Sequence, residues 1–418
     1  MNRTMRSFAI VMGLILVIPQ LSQGIPAFAR KYGYNCNMCH TAYTKLNDFG
    51  QRFRNHGYQI PGQEGLEKNV FEIAPPLAMR TSFGLFSSHT KAADASSFGL
   101  NGLDLLSAGV LHKNISYLLI YTPRIDQPAA DFRGSAGESN PSQPGALESA
   151  SIVFSNLVKD AVNLRVGRFE PGYHPFSSKR SYYLIQPYDV YAFTTPGNGF
   201  VFDDNQVGLE VSGYFPQGFR YAAGVVNGTG GNPDNSQAKD LYVRVAQIIG
   251  RGEGQSAGQR LGLFGYFGWL PTVPGDTTMN ITGMGSGSAH KPFRRIGGDI
   301  SLNWQTFNLH GMFMQGWDDK AIDSGATENY KFTGGFAQLD YAGLINNRLV
   351  SSVLVNWVSP PNFDQERQST AYSVLLRYYL GDWTAVNVAL HAEYTHREVG
   401  KTEKVKSDQL GMLIDFAL

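Results

Sequence analysis

Residues 298–316 read GDISLNWQTFNLHGMFMQG. Ile300, Leu302 and Trp304 alternate with Asp299, Ser301 and Asn303. That period of two puts apolar side chains on one face of a β-strand and polar ones on the other. Gln305 separates this run from a second candidate strand over 306–316. The same alternation recurs elsewhere. Leu241, Val243 and Val245 alternate with Tyr242, Arg244 and Ala246; Val386, Val388, Leu390 and Tyr394 with Asn387, His391, Glu393 and Thr395. The chain ends with Met412, Ile414, Phe416 and Leu418 set against Leu413, Asp415 and Ala417. Segments of about ten residues are the length at which a tilted strand crosses a bilayer.

The candidate strands lie near 77–86, 103–111, 115–121, 147–155, 162–168, 205–214, 219–226, 240–249, 260–269, 295–304, 306–316, 330–341, 348–357, 369–379, 383–395 and 407–418. Sixteen is even, as single-chain bacterial barrels require. The connections 122–146, 169–204, 227–239, 270–292 and 318–329 are long and rich in Gly, Pro, Ser, Asn and Asp. Short turns lie between them at 112–114, 216–218, 305 and 380–382. Long loops outside and short turns in the periplasm are the rhythm of an outer-membrane barrel. A soluble β-sandwich or propeller would alternate too. It would not explain that rhythm, nor the aromatic residues at strand ends: Tyr214, Trp269, Trp304, Trp317, Trp357 and Trp383.

Composition agrees with an all-β transmembrane barrel. Charged residues make up only 17%, aromatics 12%, and there are 47 glycines. The net charge of +1 gives no reason to expect a nucleic-acid partner. Arg3 and Arg6 precede an apolar run from Phe8 to Ile18 broken only by Gly13. That is the pattern of a Sec-type signal peptide over 1–24, with cleavage expected after Gly24. Ala27-Phe28-Ala29 is a second possible cleavage site that would remove the start of the next segment. The expected organisation is a signal peptide over 1–24, a small helical segment over 25–60, a linker over 61–76 and the barrel over 77–418.

The segment over 25–60 carries the chemistry. Cys36-Asn37-Met38-Cys39-His40 has the C-x-x-C-H spacing of c-type haem attachment, in which two thiols form thioethers and the next histidine ligates the iron. The chain has only two cysteines, both here. A zinc site needs about four ligands, and no second Cys/His pair has suitable spacing. A redox dithiol would be expected near a βαβ pattern, which is absent from the sequence pattern. Leu46, Phe49, Phe53 and Tyr58 recur at near-helical spacing, with Asn47 or Asp48 as a candidate cap and Gly57 as a stop. About 35 residues cannot build a free-standing core, so the expected haem and the rest of the protein must supply it. His40 is the expected proximal ligand. His56 and Met79 are candidates for the distal one, His56 against the alternative of a surface histidine; Met38 lies on the wrong side.

Three further features stand out. Phe169 to Phe202 is dense in aromatic rings and long enough to fold into the lumen; an ordinary surface loop is the alternative. The pairs Asp203-Asp204 and Asp318-Asp319 are candidates to attract Fe(II), against solvated loop charge. His391 and Glu393 should face a polar lumen.

Pro26-Ala27-Phe28-Ala29-Arg30, the Cys36–His40 motif, Leu46-Asn47-Asp48-Phe49-Gly50, Asn55-His56-Gly57-Tyr58 and Gly167-Arg168-Phe169-Glu170-Pro171, followed by a barrel, resemble the fused outer-membrane monohaem cytochrome c–porins of iron-oxidising bacteria. The resemblance is specific over 26–58 and weak in the barrel. It implies one covalently bound haem c on Cys36 and Cys39, proximal ligation by His40, electron uptake from extracellular Fe(II), and delivery to a periplasmic c-type cytochrome or other carrier, in contact with outer-membrane lipid. It carries over no Fe(II) ligand. Electron export to an external acceptor and a diffusion porin with an accessory haem are the alternative expectations.

Overall fold

The computed structural model describes residues 28, 31–42, 44–70, 77–123, 146–185, 187–234, 236–249, 259–272, 289–323, 325–380 and 388–417. The expected signal peptide and Trp383 lie outside them. Sixteen antiparallel strands close a barrel. They are β1 (Leu77–Thr90), β2 (Asp94–His112), β3 (Ile115–Thr122), β4 (Ala146–Phe154), β5 (Asn163–Phe169), β6 (Gln206–Tyr214), β7 (Phe219–Val226) and β8 (Asp240–Ile248). They continue with β9 (Arg260–Pro271), β10 (His290–Trp304), β11 (Phe307–Asp318), β12 (Tyr330–Leu344), β13 (Leu349–Ser359), β14 (Ser369–Tyr379), β15 (Val388–Val399) and β16 (Val405–Ala417). Each strand pairs with its chain neighbours, and β16 closes on β1 with Phe416 opposite Thr81 and Leu410 opposite Ser87. Closure leaves no unpaired edge, a requirement in hydrocarbon.

The alternation has the polarity of a membrane barrel. Ile300, Leu302 and Trp304 point outward and are exposed, whereas Asp299, Ser301 and Asn303 are buried inside. In β15, Leu390 and Tyr394 face out while His391, Glu393 and Thr395 are buried inside. Apolar outside and polar inside is the reverse of a soluble sandwich, and it fits a wall bathed in lipid. Both ends of the barrel chain lie on the short-turn side, which topology makes periplasmic.

Three expectations needed correction. The first two strands, expected over 77–86 and 103–111, run further and meet in a tight turn, because β1 and β2 continue to Thr90 and Asp94, where Thr90 N–H bonds Ala93 O at 2.9 Å. The small residues of 95–97 and Ser87-Ser88 hide the alternation there. Tyr214 is not on the outer belt; it is buried, with its hydroxyl accepting a bond from Asn55 at 2.6 Å. The N-terminal segment is also less helical than expected. Among the described residues it has helical backbone at Phe28, Lys31 and Tyr32, a 3-10 turn at Cys36–Met38, a small hairpin pairing His40–Ala42 with Lys45–Leu46, and the helix α1 (Asp48–Asn55).

Candidate functional site

The N-terminal segment sits inside the barrel near its periplasmic end. Asn47 caps α1, its side chain accepting from Gly50 N–H at 2.9 Å. Gly57, at φ +70°, ends the helix, and Tyr58 N–H reaches back to Phe53 O at 2.8 Å. Gly50 is where α1 meets the Cys36–His40 turn: a Cβ there would overlap the Cys39 carbonyl. The rings of Phe28, Phe53 and Tyr58 form a small core, with Phe28 stacked on Tyr58 at 5.1 Å and edge-on to Phe53 at 5.2 Å. Residues 61–70, expected as a linker, are tied down. Glu67 accepts from Tyr32 at 2.6 Å and from Lys31 at 2.5 Å, and Val70 N–H bonds Val110 O on β2 at 2.9 Å.

Charged contacts fix the segment to the wall. Lys45 pairs with Asp340 on β12 at 2.7 Å, and Asp48 pairs with Arg220 on β7. Arg54 of α1 meets Glu170 at 2.7 Å, and Glu170 also holds Arg180. Burial raises the Glu170 carboxyl, but Arg180 and Arg54 outweigh it and hold it well below the usual range.

The described residues of 170–205 fold inward, as the reading of a lumenal loop expected and unlike the alternative of an ordinary surface loop. Thr44 Oγ1 donates to Arg180 O and Ser181 O at 3.2 and 3.1 Å, and the Tyr182 hydroxyl donates to Ala42 O at 3.2 Å. Glu393 accepts Leu184 N–H at 2.7 Å, so this lumenal carboxylate anchors the loop. Asp318 binds Asn198 at 2.8 Å as well as Thr195 and the buried Arg295. Asp319 caps a short turn at Ala321 N–H, and Asp203 is buried against Ser178. Asp203 and Asp318 are thus buried against structural partners and are not solvated loop charges, whereas Asp319 stays partly exposed.

Loop and wall rings pack continuously towards the outer end. Centroid separations are 5.3 Å for Tyr188–Tyr191, 5.1 Å for Tyr191–Phe202 and 4.8 Å for Phe202–Tyr173. They continue at 5.2 Å for Tyr173–Tyr266, 4.4 Å for Tyr266–Phe200 and 5.0 Å for Phe200–Phe293.

One cleft, with about 1480 Å³ of empty space, lies between the segment and the wall. Cys36, Cys39 and His40 line it, with Phe28, Leu46, Phe49, Phe53 and Tyr58 on the segment side. Ala78 and Met79 of β1, Leu106 and Ala108 of β2, and Leu118 and Ile120 of β3 form the wall side. Arg54, Arg180 and Lys179 supply cations at its margin. Burial pushes the His40 imidazole down to about 4, so it is neutral at pH 7 and can offer a lone pair. Burial, with Cys36 adding to it, pushes the Cys39 thiol up to about 12, unlike the thiolate of a redox dithiol.

The structure does not bring His56 to this cleft, and Met79 borders it only along the β1 backbone: Met79 pairs with the outward-facing Leu105, so its side chain lies on the outer face. His56 is fully buried at the end of α1, its ring 5.3 Å from that of Tyr214. Burial lowers its pKa, with Glu64 and Asp160 opposing. Sequence reasoning missed the Glu170–Arg54–Arg180 cluster. Its only signal was Glu170 within the shared Gly167–Pro171 segment.

A closed sixteen-strand barrel with an apolar outer wall and short periplasmic turns defines an outer-membrane protein of porin architecture. Solved structures agree on the fold. Pseudomonas putida OprB at high pH is 13% identical, with a TM-score of 0.52 over 84% of this chain and 95% of that one. The anion-selective porin from Comamonas acidovorans is 11% identical, with a TM-score of 0.53 over 82% of this chain and all of the porin. The outer membrane channel DcaP of Acinetobacter baumannii is 10% identical, with a TM-score of 0.50 over 82% of this chain and 97% of that one. No family model and no curated protein sequence matches the chain.

Proposed function

We propose that this porin-fold barrel carries one covalently bound haem c in the lumenal cleft and takes electrons from extracellular Fe(II) to a periplasmic c-type cytochrome or other carrier. The observation that carries the reading is that Cys36, Cys39 and His40 share one largely apolar cleft inside the barrel. The donor set suits the group: two thiols for its vinyls and a neutral imidazole for its iron. Part of the cleft is open to solvent. Bound there, the haem would supply one-electron exchange between Fe(II) and Fe(III).

This chain's residues do the rest. Gly50 and the α1 cap hold helix and motif together, the Phe28–Phe53–Tyr58 core and the wall give the cleft its apolar sides, and Arg54 and Arg180 present positive charge beside it. The packed rings from Tyr188 to Phe293 offer a dry path towards the outer end. A hydrocarbon layer of roughly 30 Å is too wide for a single unaided electron step, and a lumenal site shortens it.

A diffusion porin is the second reading, favoured by the likeness to porins. The lumenal segment and inward loop, each tethered to the wall, argue for a plug instead. Electron export needs the same architecture, and a haem potential below that of the periplasmic pool would favour it.

The test uses proteoliposomes with oxidised soluble cytochrome c trapped inside and Fe(II) added outside, the protein being oriented with its long loops outward. Reduction of the trapped cytochrome by wild type, lost in the Cys36→Ala/Cys39→Ala variant, is the expected result. No reduction by a preparation that dithionite readily reduces would overturn the reading. Ion flux through the same vesicles would then favour the porin.

A further inference from the structure

We infer that His56, Glu64 and Asp160 form a binding site for a divalent first-row transition-metal cation at the periplasmic rim of the barrel. One candidate ligand atom from each lies within 4.8 Å of the other two. His56 Nδ1 is 3.9 Å from Glu64 Oε1, too far for a hydrogen bond.

The three residues come from separate stretches that the fold brings together. His56 ends α1, its backbone N–H bonded to Arg52 O at 2.9 Å and its carbonyl accepting from Ser155 Oγ at 2.9 Å. Glu64 lies on the stretch running from α1 to the wall, its Oε2 accepting Gly62 N–H at 2.9 Å. Asp160 ends a short strand, Leu157–Asp160, in the turn between β4 and β5.

What points to a ligand is the state of the donors. The His56 side chain is fully buried and that of Glu64 is 2% exposed. Among the described residues neither ring nitrogen of His56 has a hydrogen-bond partner, and Glu64 Oε1 has none either. Buried polar atoms almost always have partners. Here the orphaned atoms converge on one point, with a carboxylate closing the third side. Bonds of about 2.0–2.2 Å to nitrogen and oxygen would draw the ligand atoms closer by an ångström or so. Asp160, 41% exposed on its turn, has room to make that movement.

One imidazole and two carboxylates suit Zn(II), Fe(II) or Mn(II) better than Ca(II) or Cu(I). Arg52, 3.4 Å from Asp160 Oδ2, competes for that carboxylate and sets the affinity below that of an all-anionic cage. None of the three residues lines the haem cleft, so the site does not depend on the haem reading. A cation there would join α1, the chain leading to the wall and the periplasmic turn into one unit.

Full-length protein in detergent, dialysed against a chelator and then a chelator-free buffer, is titrated calorimetrically with Zn(II). The expected result is a saturable site of one ion per chain, weakened at least tenfold by His56→Gln and by Asp160→Asn. Asp160 is partly exposed, so its variant keeps the fold and controls for a His56 substitution that disturbs the plug. Zn(II) bound only by exposed groups such as His396 and Asp408 would leave both variants at wild-type affinity. That outcome, or no saturable binding by the folded protein, would overturn the proposal.

Discussion

Glu170→Gln tests how the segment is held in the barrel. Glu170 is 5% exposed and lies between Arg54 on α1, at 2.7 Å, and Arg180 on the inward loop. Glutamine keeps the volume and one acceptor oxygen but removes the charge, leaving two guanidiniums side by side. When α1 detaches, Arg54 returns to water, so the variant favours detachment by the lost attraction plus the new repulsion. Breaking one partner of a buried pair typically costs about 3–5 kcal/mol. Arg180 is 24% exposed and can rehydrate, so the lower end, about 3 kcal/mol, applies. At about 1.4 kcal/mol per decade this is roughly a hundredfold. Amide hydrogen exchange over Asp48–Asn55 should speed up by that factor in the variant, while the β10–β14 amides stay unchanged. Unaltered exchange over α1 would refute the reasoning.

The pH dependence has a definite sign. The folded Glu170 carboxyl is held below its ordinary value, so its contribution is fully present above the unfolded value of about 4.3. It is lost as pH falls through the folded value. Wild-type helix protection, corrected for intrinsic exchange, should therefore show this carboxyl's loss only in acid, and the variant should lack that component.

Three further outcomes are expected. Wild type should carry one haem by intact mass after export with a haem-attachment system, and Cys36→Ala/Cys39→Ala none; an unmodified wild-type mass from a competent host would contradict the attachment. Met79→Ala should leave the haem potential unchanged, because Met79 shares the outer face with Leu105; since thioether ligation raises a haem potential, a fall of ~59 mV or more, a tenfold one-electron change, would contradict that placement. Gly50→Ala pushes a methyl into the Cys39 carbonyl and should destabilise α1 by about 1–3 kcal/mol, read as faster exchange over Asp48–Asn55; wild-type exchange there would show that the close approach is not required.

The barrel was legible because its signal is local and repeated. A period of two survives wherever lipid faces one side and polar lumen the other, as in 298–304. It failed at 87–97, where small residues on both faces erase the contrast, and at Tyr214, whose place near a strand end said nothing about which face it took. The cysteine motif was legible as chemistry. Its surroundings were not: Leu106 and Ile120 line the cleft beside the motif only because the wall folds around the segment, across separations that no periodicity encodes. His56 shows the same limit. Its distance along the chain from His40 fits a ring folded over a haem, yet the helix turns it towards Tyr214 and Glu64.

Stopped-flow absorbance of the oxidised, haem-loaded, purified protein mixed with Fe(II) tests the central claim most directly. Rapid appearance of reduced haem bands, saturating with Fe(II), is the expected result. A haem that stays oxidised under excess Fe(II), yet reduces at once with dithionite, would contradict it.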